Sequence, residues 1–69
     1  MKTKYKYIEF AYDQKKQEWL IGNHKTNELI GALEFNKRWK EWEVVPCEGT
    51  GWTIECLNDL LHFINQLEK

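Results

Sequence analysis

From Thr53 onward the apolar residues recur at helical spacing. At 3.6 residues per turn, Phe63, Cys56, Leu67, Leu60, Ile64, Leu57 and Leu61 fall in that order on one arc of about 160°, which predicts a core-facing helix over residues 54–68. Thr53 suits the N-cap, because its hydroxyl can accept a bond from an orphan amide of the first turn. Glu55 and Asp59 stand near the positive end of the helix dipole. A helix with such a face must lie on something apolar, and that has to come from residues 1–52.

Those residues read as strands. Residues 4–12 are dense in aromatic and β-branched side chains, with Ile8, Phe10 and Tyr12 on one face and Tyr5, Tyr7 and Ala11 on the other. Residues 13–17 form a polar break, and 18–23 a second strand in which Trp19 and Ile21 share a face. After a turn over 24–28, residues 29–35 make a third strand with Leu29, Gly31, Leu33 and Phe35 on one side. Gly31 weakens a strand unless a bulky group approaches it closely, so a Trp ring or the helix is expected above it. Residues 36–38 turn the chain into a fourth strand over 40–46, where Trp42 and Val44 face together. Pro46 has no N–H for a ladder, so that strand ends there or lies at an edge.

The economical arrangement is a single α+β domain over residues 1–69, an antiparallel four-stranded β-meander with one C-terminal helix packed on one face. Ile8, Phe10, Trp19, Ile21, Leu33, Phe35, Trp42 and Val44 would face the helix. The open face would carry Tyr5, Tyr7, Leu20, Ile30, Ala32 and Val45 among Glu9, Glu18, Glu34, Glu41 and Glu43. Its apolar middle makes it a candidate binding surface for a protein partner or for a second copy of the chain.

Composition narrows the function. A chain of 69 residues exposes too much of its surface to hold a deep cleft, and four Trp, three Tyr and three Phe are the large side chains a small core needs. The net charge of −1 leaves no overall footprint for nucleic acid or an anionic membrane. The charge is divided, however, with nine Lys or Arg against five acids in residues 1–40 and one Lys against six acids in 41–69. No apolar run approaches the ~20 residues of a membrane span, and no signal-type apolar core follows the lysine-rich start, so the expected location is cytoplasmic. Cys47 and Cys56 are then expected as reduced thiols, a Cys47–Cys56 bridge being the alternative in an oxidising compartment.

Catalytic chemistry is not evident. The chain has no serine, no carboxylate pair in a setting expected to raise a pKa, and no CxxC or HxxxH spacing for zinc. His24 falls in a turn and His62 on the polar side of the helix, both expected in solvent. Gly49-Thr50-Gly51 lacks the lysine and spacing of a phosphate loop. No cofactor and no metal are expected.

Two surface features stand out. Lys37-Arg38-Trp39-Lys40 presents a large aromatic among cations, and Trp with Arg is the usual make-up of an interaction hot spot. The competing expectation is that Trp39 folds back over the sheet edge. The second is Lys2, Lys4, Tyr5, Lys6 and Tyr7, where bases could stack on tyrosines while lysines follow phosphates.

Trp19, Ile21, Asn23, Leu29 or Ile30 with Gly31, Leu33, Phe35, Trp39, Trp42, Val44, Pro46, then Cys56-Leu57, Asp59-Leu60, Phe63-Ile64 and Leu67 form a pattern. It resembles a group of short uncharacterised proteins of bacteria and their phages and prophages. The likeness covers residues 19–67 and consists of core-type positions. It implies a bacterial or phage cytosolic context without a cofactor, and it transfers no functional residue. The reading is a non-enzymatic protein-interaction module that modulates a host protein through Arg38, Trp39, Tyr5, Tyr7, Leu20 and Val45. The alternative is a single-stranded nucleic-acid or nucleotide binder using the first strand.

Overall fold

The computed structural model of the chain describes residues 1–68, and Lys69 lies outside them. Strands β1 (Ile8–Asp13), β2 (Glu18–Asn23), β3 (Leu29–Asn36) and β4 (Glu41–Pro46) precede one helix, α1 (Ile54–Leu67). The strands form one antiparallel sheet in the order β1-β2-β3-β4, so the architecture is the expected ββββα. The three hairpin turns share a device. Asp13, Asn23 and Asn36 each turn a side-chain oxygen onto backbone N–H groups two or three residues on, and Gln17, Asn27 and Lys40 follow at φ 55°, 62° and 58°.

The core gathers where α1 crosses β1 and β2. Phe63 stacks flat on Phe10 with ring centroids 3.9 Å apart and meets the edge of Trp19 at 4.9 Å. Ile8, Ile21, Leu33, Cys56 and Leu60 are buried around this contact. Thr53 caps the helix as expected, its Oγ1 accepting from the Cys56 N–H at 3.2 Å. Trp52, from the connector, lies over Gly31: a Cβ there would meet Trp52 Cζ2 at 3.1 Å and the Val45 carbonyl at 3.2 Å. That close approach is why the third strand carries a glycine in its middle.

Three expectations need correction. The first strand begins at Ile8, four residues late, because the chain reverses at Lys6 and Tyr7. Lys4 bridges to Glu9, Tyr5 N–H donates to the Ile8 carbonyl, and Phe10 N–H donates to that of Thr3. The reversal drives Tyr5 into the core, where a straight strand would have left it in water. Second, Ile30 and Leu29 exchange faces. Ile21 pairs with Gly31 but Gly22 with Leu29, and the extra residue, Ile30, packs against the core while Leu29 joins Leu20 on the other side. Third, Leu57, Leu61, Phe35 and Val44, all assigned to the core, are exposed. A helix about 10 Å wide covers roughly two strands spaced about 4.8 Å apart, and this sheet has four.

Candidate interaction surface

The helix is fixed to one side of the sheet by the N-terminal segment. Gln66 exchanges hydrogen bonds with the Lys2 backbone, accepting from N–H at 2.8 Å and donating to C=O at 2.9 Å. Its Nε2 also donates to the Tyr5 hydroxyl at 3.2 Å, and that hydroxyl shares a second hydrogen bond with His62 Nδ1 at 2.7 Å. His62 is exposed, as expected, but its Nδ1 is tied to Tyr5 by this bond. Burial first, and the Asp59 carboxylate second, push the Tyr5 phenol above its ordinary pKa.

Round the helix from this strap the order is Gln66, Phe63, Leu60, Ile64, Leu57, Leu61. The strap lies beside β1 and Phe63 and Leu60 face the sheet, so Leu57 and Leu61 look toward the β3–β4 half. On that half the same face carries Phe35, Trp42 and Val44. Phe35 and Trp42 meet edge to face at 5.3 Å, yet Phe35 is 45% exposed. Leu61 is 58% exposed, and Ile54, Leu57 and Leu61 continue as one apolar stripe. At the end of this surface stands the β3–β4 turn, where Asn36 Oδ1 accepts from the Arg38 and Trp39 N–H groups at 3.0 Å each. Trp39 is 71% exposed and does not fold back over the edge.

The opposite face is organised in rows. Ala11, Leu20, Ala32 and Val45 are cross-strand partners, an apolar row with Leu20 half-buried and Val45 exposed. Continuing the pairing of Trp19 with Leu33 brings Glu18 beside Glu34, so the next row is Asp13, Glu18, Glu34 and Glu43. Glu18 is buried. A hydrogen bond shared with Glu18, then partial burial, then repulsion by Glu18 and Glu43 hold the Glu34 carboxyl above its ordinary pKa, against a weaker pull from Lys16. This overturns the expectation that no carboxylate pair is so placed. The sequence showed four acids but not that register lines them up.

Tyr5 and Tyr7, named with this face, are elsewhere. Tyr5 is buried, Tyr7 half-buried against the core, and Lys2 and Lys6 place their ammonium groups 4.7 and 5.2 Å from the two ring centroids. Cys47 is half-buried and Cys56 buried, both as free thiols. Among the described residues no group of three or more His, Cys, Asp or Glu side chains could hold a metal ion, and no helix is long and apolar enough to cross a membrane. No protein-family model matches the chain, and no curated protein or solved structure matches it either.

Proposed function

We propose that this chain is a small non-enzymatic protein-interaction module whose contact surface is the uncovered half of the helix-side face, with Trp39 and Arg38 at its end. The observation that carries the reading is the exposure of Ile54, Leu57 and Leu61 on the helix and of Phe35, Val44 and Trp39 on the β3–β4 hairpin. Exposed apolar surface of this extent in a small domain marks an interaction site, and Trp and Arg supply anchors. Leu20 on β2 and Val45 on β4 belong to the opposite face and lie outside this surface. The likeness of residues 19–67 to short bacterial and phage proteins supports a phage or prophage product acting in the cytoplasm on a host protein.

Stacking of nucleobases on Tyr5 and Tyr7 is disfavoured, because their rings are packed and already carry lysines of the same chain. The test is capture from a bacterial lysate, with nuclease and high salt, by the tagged chain and by Leu61→Asp. The expected result is one stoichiometric protein that survives both treatments and is lost with the variant. Recovery of only nuclease-sensitive material would reject the reading.

A further inference from the structure

We propose that the free edge of β4 receives an extended segment of a partner protein as a fifth strand, and that this segment alternates lysine or arginine with apolar residues. The inference rests on the interaction-module reading and names the chemistry of the partner.

The backbone supplies the first reason. Cys47 N–H donates to the Ile30 carbonyl at 2.9 Å, and antiparallel alternation from that pair turns Val45, Glu43 and Glu41 toward β3. Trp42, Val44 and Pro46 therefore direct their main-chain groups outward. The pyrrolidine nitrogen of Pro46 sits on the side where no ladder bond is lost, and the N–H and C=O of Trp42 and Val44 have no hydrogen-bond partner among the described residues. The other edge of the sheet is closed, since residues 3–5 fold back onto β1. An open edge beside an apolar face is the geometry of strand addition.

Charge complementarity selects the occupant. An added strand would place alternate side chains next to Trp42 and Val44 on the helix side, where Phe35 packs against Trp42 and stays exposed. The intervening side chains would lie next to Glu41 and Glu43, beyond which come Glu34 and Glu18. Like charges directly opposite one another destabilise a sheet, and at this row Lys16 and Lys37 line the same hollow as Glu34 and Glu43 without removing the repulsion felt by Glu34. Basic residues on the incoming strand relieve that repulsion. A second copy fits badly. Antiparallel pairing of two β4 strands centred on Glu43 sets Glu43 against itself, and centring on Trp42 sets Glu41 against Glu43. Centring on Val44 sets Trp42 against Pro46, which has no N–H to donate.

The probe is a synthetic peptide, Thr-Val-Val-Lys-Val-Lys-Thr, titrated into the isotope-labelled chain and followed by amide shifts and hydrogen exchange. Its Glu-for-Lys counterpart is the control. The expected result is saturable binding that protects the Trp42 and Val44 amides, no binding of the Glu peptide, and affinity at least about tenfold weaker in the Glu41→Gln, Glu43→Gln double variant. Val44→Pro, which removes an outward N–H and leaves the β3 ladder intact, should abolish binding; the double variant keeps the test decisive if that substitution unfolds the chain. Absence of binding, equal binding of both peptides, or protection confined to other strands overturns the proposal. If any of these accompanies lysate capture that still depends on Leu61, strand addition fails and the interaction-module reading stands.

Discussion

Over β1 and β2 the helix-side face is closed: Phe63 of α1 is stacked on Phe10, Tyr5 is hydrogen-bonded to His62 and Gln66, and the sheet edge is covered by residues 3–5. Toward β4 and the β3–β4 turn the same face, still carrying aromatic and β-branched residues, stays open, with Phe35 and Val44 in solvent and an unpaired edge. Both regions present large apolar side chains but differ in cover. Hydrophobicity alone therefore does not say which residues are core; the width of the one helix and the path of the N-terminal segment decide it. Stability should concentrate in the closed half and binding in the open one.

The strongest way to break that division is to truncate one aromatic in each half. Phe63→Ala should cost about 3–5 kcal/mol, since it removes a fully buried ring from between two others. Phe35→Ala should change stability by about 1 kcal/mol or less, its ring being half in water already. Urea denaturation of both variants checks the contrast, and equal losses would mean that the open half is as much core as the closed one.

How far the sequence discloses this division can be argued from particular residues. Helix periodicity, the Asx residues leading each turn and the alternation in β2, β3 and β4 are local signals, and they determine element order, the cap at Thr53 and the close approach at Gly31. Three things depend on non-local geometry. The reversal at Lys6 and Tyr7 is stabilised by His62 and Gln66, more than fifty residues away in sequence. The bulge at Ile30 appears only once β2 and β3 are in register. The acidic row of Glu18, Glu34 and Glu43 likewise exists only across strands. The candidate site read from the sequence includes Arg38 and Trp39, and the turn set by Asn36 exposes both, where Trp39 could have folded back. It was misplaced at Tyr5 and Tyr7, which a straight strand would have displayed.

Gly31 lies on the strand where the two halves meet, and Gly31→Ala should destabilise by about 1–3 kcal/mol. The added methyl presses on Trp52, which can tilt, and on the Val45 carbonyl, which moves only with β4. Gly51→Ala, with nothing within 4 Å of its Cβ, is the matched control and should be neutral or slightly stabilising. Thermal melts of the pair would separate close packing from chain entropy. A smaller effect is expected for Tyr5→Phe, about 0.5–1.5 kcal/mol, because the hydroxyl bridging Gln66 and His62 disappears while the ring stays packed on Phe10. Faster exchange of the Phe10 amide in that variant would show that the closed edge depends on this bridge.

The smallest expected effect sharpens the comparison from the opposite face of the open half. Glu34 holds its proton more tightly folded than unfolded, so the folded state binds more protons between the two pKa values. Its contribution to stability is then fully present below the ordinary glutamate pKa and is lost as pH rises through the elevated folded value. Glu34→Gln cannot ionise beside Glu18 and Glu43, so it should melt at a higher temperature than the parent at neutral pH and show a shallower decline between acid and neutral conditions. Lys16→Gln should do the reverse and steepen that decline, because it removes the cation that opposes the repulsion. Melting temperatures of the three proteins from mildly acid to neutral pH decide it. Parallel curves would mean that the acidic row carries no strain in the free chain, and the electrostatic reason for a basic strand on β4 would go with it.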